Sequence, residues 1–294
     1  MIKRLGPNLA GRDFVCGDIH GCYERLEAFL NDKQIGFDKR IDRLIGCGDI
    51  IDRGSRNEEC LDLLYEPWFD TVMGNHEFMM MDYFRGGEYS ETWINNGGAW
   101  GQQYMHDFSD QAVRIRDTVH LMVSNLPSLI TVDLANGKKF HVIHAEFFSQ
   151  NEITDDHLST PQLFNEVTME RNLDGICVLW GRKIFGSIRY EHLDDRIVNK
   201  FRRRLELELK HVAKMYGGDK LSNIYSGHTV VRRPVRVFNH TNLDTSAYGS
   251  YDYHGRHGLE KAAPWAGLTV TEPLTDRFWL VNDAGVKEVQ PLII

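Results

Sequence analysis

Three times within the first 84 residues, a short apolar run gives way to a glycine-rich polar loop and then to a segment with helical apolar spacing. Phe14-Val15-Cys16 leads into Gly17-Asp18-Ile19-His20-Gly21, and Tyr23 to Leu30 follows with Leu26, Phe29 and Leu30 on one helical face. Leu44-Ile45-Gly46-Cys47 leads into Gly48-Asp49-Ile50-Ile51-Asp52-Arg53-Gly54, and a helix carrying Cys60, Leu61 and Leu64 comes next. Thr71-Val72-Met73 leads into Gly74-Asn75-His76-Glu77, where a third helix is predicted from His76 to Phe84. The apolar runs read as buried strands. Strand, loop and helix in repetition predict parallel α/β units, whose sites lie beyond the strand C-termini.

Further along, the pattern changes. A helix is predicted from Asp110 to Asn125, with Val113, Leu121 and Val123 among its apolar positions. Strands at 129–134 and 139–143 flank Asn136-Gly137, a hairpin signal that delivers His144 to a strand end. More strands are predicted at 223–225, 235–238, 268–271 and 278–281. Parallel units first and meander strands later predict an α/β fold of two facing sheets with outer helices. Ile197, Phe201, Leu205, Leu209, Val212 and Tyr216 form an apolar stripe over 194–216. Asp194 or Asp195 can cap that helix and Gly217-Gly218 ends it. Its Arg202, Arg203 and Arg204 read as a solvated face or as a basic rim for phosphorylated substrates. No repeat or low-complexity tract divides the chain, so residues 1–294 read as one domain with insertions.

Composition narrows the partners. A formal net charge of -8 over 294 residues lacks the basic surplus that holds nucleic acid, so none is expected as a stable partner. A phosphorylated substrate stays compatible, because bound dications reverse the local field. The five cysteines, Cys16, Cys22, Cys47, Cys60 and Cys177, form no C-x-x-C pair and point to a reducing compartment. Cys16 and Cys47, each two residues before a motif aspartate, read as buried strand residues. The N-terminus has no apolar signal core and no apolar run reaches spanning length, so no membrane partner is expected and the expected location is the cytoplasm.

Two more short segments, His144-Ala145-Glu146 and Gly227-His228-Thr229, bring the motifs to five. Their carboxylates, imidazoles and amide suit Mn, Fe or Zn, and the lack of thiolates argues against a structural zinc site. Two dications about 3.5–4 Å apart can hold a phosphoryl group and activate a bridging water. One ligand must then bridge, and a carboxylate has two oxygens for that. Asp18 and His20, two residues apart, can project together from an extended segment.

In this order the motifs resemble the signature of the phosphoprotein phosphatase family of metallophosphoesterases: GDxHG, GDxxDRG, GNHE and two isolated histidines. The likeness is nearest the bacteriophage lambda type and takes in Phe78 to Asp82 and Trp93-Ile94-Asn95-Asn96-Gly97-Gly98-Ala99-Trp100. It runs from about Phe14 to Glu146, then resumes at Leu179 to Arg182, Ser226 to Thr229 and Leu243 to Thr245. The stretches at about 147–178, 183–221 and 247–266 fall largely outside it and are the expected insertions. The resemblance implies a calcineurin-like sandwich of two mixed β-sheets flanked by helices, holding two divalent ions, Mn²⁺ first with Fe or Zn as alternatives. It implies that Asp49 bridges, that Asp18 and His20 hold the first ion, and that Asn75, His144 and His228 hold the second.

The same resemblance implies Arg53 and Arg182 as phosphate clamps, since a guanidinium fork matches two phosphoryl oxygens and stays charged. It implies Asn75 as a further phosphate contact. His76, with Asp52 on its other ring nitrogen, is implied as proton donor to the leaving group; the carboxylate fixes the tautomer and favours the imidazolium. The implied activity is a metal-dependent phosphomonoesterase, a serine/threonine phosphatase acting on phosphorylated protein or a small phosphoester. A metal-bridging hydroxide would act without a phosphoenzyme, and no Cys-x5-Arg loop or aspartyl nucleophile motif argues otherwise. The rival readings are a dinucleoside polyphosphate hydrolase, a nucleotide or cyclic-nucleotide phosphodiesterase, and a metal-binding module without catalysis. Symmetric dinucleoside tetraphosphate hydrolases typically lack the aspartate before the arginine and read GNHD, so Asp52 and Glu77 follow the protein-phosphatase pattern. His106, His120, His141, His157, His192 and His211 read as surface or structural. Asp244-Thr245 reads as a supporting position, and Tyr248 to His257 as a surface loop or a groove wall.

Overall fold

Side chains alternate along β2 (Asp13–Cys16), and that alternation separates the layers of the fold. Val15 joins Ile45, Ile130, Phe140, Val142 and Tyr225 in a core between two sheets, whereas Phe14 and Cys16 face Leu26, Phe29 and other helical residues. Fully burying one such side chain stabilises by roughly 1.5–3 kcal/mol, so a shift by one residue would put the wrong set inside.

The computed structural model describes residues 1–147, 154–159, 178–189, 191–208, 220–249 and 263–294. Its first half holds β1 (Ile2–Leu5), β2, α1 (Tyr23–Asn31), β3 (Arg43–Gly46), α2 (Asn57–Asp62), β4 (Phe69–Thr71) and α3 (Asn75–Phe84). Then come α4 (Ser90–Asn95), α5 (Asp110–Leu121), β5 (Leu129–Asp133) and β6 (Lys139–Val142). The remainder comprises α6 (Asp155–Ser159), α7 (Asp195–Glu208), β7 (Asn223–Ser226), β8 (Val235–Val237), β9 (His240–Asn242), β10 (Leu268–Glu272), β11 (Arg277–Asn282), β12 (Gly285–Val289) and β13 (Leu292–Ile293). One sheet runs β12-β11-β10-β2-β3-β4 and the other β1-β5-β6-β7-β9-β8-β13. The strands β2, β3 and β4 are mutually parallel, as are β6 and β7, so both sheets aim strand C-termini at loops that carry motifs.

Several expectations shift. The third strand ends at Thr71, with Val72 and Met73 already in the connection to α3, where the Met73 N–H donates to the Pro127 carbonyl at 2.7 Å. The helix expected to reach Asn125 stops at Leu121 and tightens into a 3-10 turn over Val123–Asn125. Pro127 explains why no helix continues past Asn125, because the residue before a proline is driven out of the helical region, and Leu126 is extended (φ -60°, ψ 136°). The inward face of α5 is Ala112, Ile115, Thr118 and Val119; Val113 and Leu121 are exposed, and only Val123 of the three expected positions is buried. The short edge strands β1, β12 and β13 carry no distinct apolar period and were not predicted.

The expected helix over 194–216 is present as α7, with the Ile197 N–H donating to Asp194 Oδ1 at 2.8 Å. Its residues from Leu209, and Gly217-Gly218, lie outside the described residues, as do Cys177 and positions 250–257 of the aromatic loop. Arg204 donates to the carbonyls of Lys183 (2.7 Å) and Ile184 (3.2 Å), and Arg202 donates to Ile293, so two of the three adjacent arginines hold backbone. Cys16, Cys22, Cys47 and Cys60 are buried free thiols, and burial pushes all four up, Cys22 to about 12. None of the described helices is long and apolar enough to cross a membrane.

Candidate metal centre

Each motif occupies the loop or helix start that follows a strand. The loops after β2 and β3 are laced together: the N–H groups of Ile19 and His20 donate to the Asp49 carbonyl at 3.1 and 2.9 Å, and that of Gly54 donates to His20 at 2.9 Å. Across the other sheet the Gly227 N–H donates to the His144 carbonyl at 2.8 Å. Of the eight described non-glycine residues with positive φ, five belong to the centre: His20 (49°), Asp49 (48°), Asp52 (73°), Arg53 (71°) and His228 (64°). Such backbone costs about 1–3 kcal/mol per residue, and its concentration here marks a site shaped against local preference. Gly227 shows how close the packing is, since a Cβ there would stand 1.7 Å from Asp18 Oδ1.

Asp49 is at the middle. Its Oδ2 lies 3.5 Å from His144 Nε2, 3.7 Å from His20 Nε2 and 3.8 Å from His76 Nε2. On one side His20 Nε2 is also 3.9 Å from Asp18 Oδ2; on the other, Asn75 Oδ1 is 2.8 Å from His144 Nε2 and 2.9 Å from His228 Nδ1. His144 and His20 each direct Nδ1 at a backbone carbonyl, of Cys47 (2.8 Å) and Ile51 (3.0 Å), which leaves the Nε2 lone pairs facing the centre. Buried acceptors therefore face one another: two Asp49-linked clusters, His20–Asp49–His76 and Asp49–His144–His228, lie within reach of single ions. His228 Nε2 is buried without a hydrogen-bond partner among the described residues. Burial, then the nearby Asp244 and Asp49 charges, raise Asp18 well above the carboxylate range, and burial lowers His20 and His228. Converging oxygen and nitrogen acceptors of this kind fit divalent cations.

His76 starts α3 beside Asn75 and directs Nδ1 at Asp52 Oδ2, 2.6 Å away. Burial, tempered by the Asp49 charge and reinforced by Arg53, brings His76 down to about 3 and so opposes the imidazolium that pairing with Asp52 favours. Burial likewise lifts Asp52 to about 7 against hydrogen bonds that favour its charged form. Distance alone places His76 as near Asp49 as His20 is; the Asp52 bond is what sets it apart. Arg53, expected on the phosphate, donates instead to His20 Nε2 (2.6 Å) and His76 Nε2 (3.0 Å), its guanidinium over the Tyr248 ring at 4.8 Å.

The family profile described as calcineurin-like phosphoesterase matches residues 14–232. The chain belongs to that family. It is a metallophosphoesterase, a hydrolase of a family that uses a dinuclear divalent metal centre, and its sandwich of two mixed sheets is the family's fold. It is 32% identical over 163 residues to serine/threonine-protein phosphatase 2 of Escherichia coli, spanning 55% of this chain and 71% of that protein. Its identity to serine/threonine-protein phosphatase 1 of Salmonella typhimurium is 30% over 235 residues, spanning 80% and 86%. Against a symmetrical bis(5'-nucleosyl)-tetraphosphatase of Actinobacillus pleuropneumoniae it is 34% identical over 70 residues, 23% of this chain and 25% of that protein.

In this phosphoesterase Arg182 lies against the centre: its Nη1 donates to the His228 carbonyl at 2.9 Å and to Thr229 Oγ1 at 3.2 Å. Glu146, two residues past His144, turns away from the metal cluster and accepts the N–H groups of Ile184 (2.8 Å) and Phe185 (2.7 Å). The loop bearing Arg182 is thereby tied to the strand bearing His144. Glu77 accepts the N–H groups of Asp49, Ile50 and Gly74 at 2.8, 2.9 and 3.0 Å, which fixes the Asp49 loop. Burial, then the Asp49 charge, lift Glu77 to about 8 in spite of those bonds. Asp244 is buried close to Asp18, as a supporting residue would be. Tyr248, read in the sequence as part of a surface loop or a groove wall, has its ring edge-on to His20 at 5.0 Å; sequence reasoning missed two participants, the indoles of Trp93 and Trp100 on Asp52. The two tryptophans, seven residues apart around Asn-Asn-Gly-Gly, were visible only as flanking likeness.

Proposed function

We propose that this phosphoesterase is a protein serine/threonine phosphatase that frees phosphate from phosphoserine and phosphothreonine in one hydrolytic step, without a phosphoenzyme. The observation that carries this reading is the 2.6 Å bond between His76 Nδ1 and Asp52 Oδ2 beside the ligand cluster. Asp18, His20 and Asp49 would hold one divalent ion, and Asp49, Asn75, His144 and His228 the other, with Mn²⁺ the first candidate. Bound there, the ions supply Lewis acidity and an activated water.

The chain's own residues do the rest. Arg53 and Arg182 grip phosphoryl oxygens with planar forks that stay charged at working pH. Moving Arg53 onto phosphate frees His76 Nε2 to take up a proton from solvent, and the imidazolium so formed, held through Nδ1 by Asp52, gives that proton to the departing serine or threonine oxygen and returns to the neutral ring. A positioned acid contributes roughly 10²–10⁴-fold where the leaving group is a poor one, as an alkoxide is. The second reading, hydrolysis of a dinucleoside tetraphosphate, is favoured by the 70-residue likeness to the bis(5'-nucleosyl)-tetraphosphatase. There the leaving group is itself a phosphate and gains less from an acid.

Side-by-side kinetics with added Mn²⁺ on a phosphoserine peptide and on diadenosine tetraphosphate test the reading. The expected kcat/KM favours the peptide by roughly tenfold or more. A preference of that size for the dinucleotide contradicts it.

A further inference from the structure

We propose that Trp93 and Trp100 are positioning residues for the proton donor: their indole N–H groups lock the Asp52 carboxylate in the one orientation that holds His76. The proposal rests on the acid role given to His76 above. Asp52 is fully buried, and each of its oxygens has a fixed donor. Trp93 Nε1 donates to Oδ2 at 2.8 Å, and Trp100 Nε1 donates to Oδ1 at 2.7 Å. His76 Nδ1 shares Oδ2 at 2.6 Å. The carboxylate cannot turn about its Cβ–Cγ bond without breaking an indole bond. An indole only donates, so it cannot reverse roles as a hydroxyl or an amide would. Both oxygens are thus kept as acceptors, and the imidazole keeps one tautomer and one plane.

The segment that carries the two rings is built to hold them still. Trp93 lies in α4 and is fully buried, tilted against Tyr83 with ring centroids 4.9 Å apart. Trp100 lies in the 3-10 stretch Gly98–Tyr104, edge-on to Trp93 at 6.4 Å and to Tyr104 at 6.1 Å. Between them Gly98 passes flat over the Trp93 ring, where a Cβ would stand 2.3 Å from the indole. Aromatic packing of this kind fixes a donor to within the tolerance that acid catalysis requires.

The test is a double-mutant cycle in the Mn²⁺-loaded enzyme. Trp100→Phe keeps a ring in place and removes the N–H; Trp100 is only half-buried, so the fold should tolerate it, and Trp93→Phe serves as a second variant. Trp100→Phe should lower kcat on a phosphoserine peptide roughly tenfold, the size typical of a lost supporting contact, and lower it less on an aryl phosphate. KM and metal content should not move. In a His76→Asn background the same change should cost nothing further, because there is no donor left to position. Equal losses on both substrates, or a full loss in the His76→Asn background, overturn the proposal. If His76→Asn alone costs both substrates equally, the acid assignment falls and the proposal with it. If His76→Asn discriminates and Trp100→Phe does not, the positioning role alone falls. The ¹H–¹⁵N spectrum of the metal-free protein gives a readout apart from activity: Asp52→Asn should move both indole resonances upfield. Unmoved resonances contradict the two bonds on which the inference stands.

Discussion

At the scale of single residues, the centre is a set of buried carboxylate, imidazole and amide acceptors gathered around Asp49. The proposed ligands Asp18, His20, Asp49, Asn75, His144 and His228, named in the sequence by the resemblance of their motifs, lie together around Asp49 in the fold. The tryptophan donors were not legible, because nothing in an indole's local pattern says that a buried carboxylate lies across from it. Arg53 was legible as a cation but not as a partner of His20 and His76. The residue whose role is most open to test is His76, which lies as close to Asp49 as a ligand does. His76→Asn should keep the protein's metal content and reduce turnover of a phosphoserine peptide by roughly 10²–10⁴-fold, with a smaller loss on an aryl phosphate. Loss of metal in that variant, measured by elemental analysis, would mean that His76 is a ligand.

At the scale of elements, short strands act as pointers and side-chain bonds fix what they point at. Short but unbroken apolar runs ahead of glycine-rich loops made β2 and β3 easy to predict, while β1, β12 and β13 exist only because a neighbour offers a free edge. The α6 helix shows the same dependence. Its Asp155 accepts from Ser222 N (2.8 Å) and Oγ (2.8 Å) and meets His141 Nε2 at 2.9 Å, tying the helix to both β6 and the start of β7. Burial works to raise this carboxyl, but the bonds from His141 and Ser222 outweigh it and hold the group down at about 2. A folded-state value below the unfolded one stabilises above the unfolded value, and that contribution is lost as pH falls through about 2. Because Asp155 is only partly buried and solvent screens the pair, Asp155→Asn should cost roughly 1 kcal/mol at pH 7, less than the full shift would give. Chemical denaturation across pH should show the gap to wild type closing between about pH 4 and 2; a gap independent of pH would contradict the staple.

For the whole molecule, the proposed ligands come from both sheets: Asp18, His20, Asp49 and Asn75 follow strands of one, His144 and His228 follow strands of the other. A sequence gives the order of such residues but not that positions 18 and 228 meet, which the facing of the two sheets decides. Ions bound at their junction should join the sheets as well as serve catalysis. Mn²⁺ at about 100 times its dissociation constant stabilises by roughly 2.7 kcal/mol per site, so the melting midpoint should rise by about 5 °C or more. An unchanged midpoint by calorimetry would mean that the folded chain does not bind the ions. The central claim, that phosphoester hydrolysis here depends on ions held by these residues, is tested most directly by turnover of a phosphoserine peptide in protein stripped exhaustively of metal, with elemental analysis of the same sample. The stripped protein should be silent and Mn²⁺ should restore it. Full turnover with no detectable ion would contradict the account.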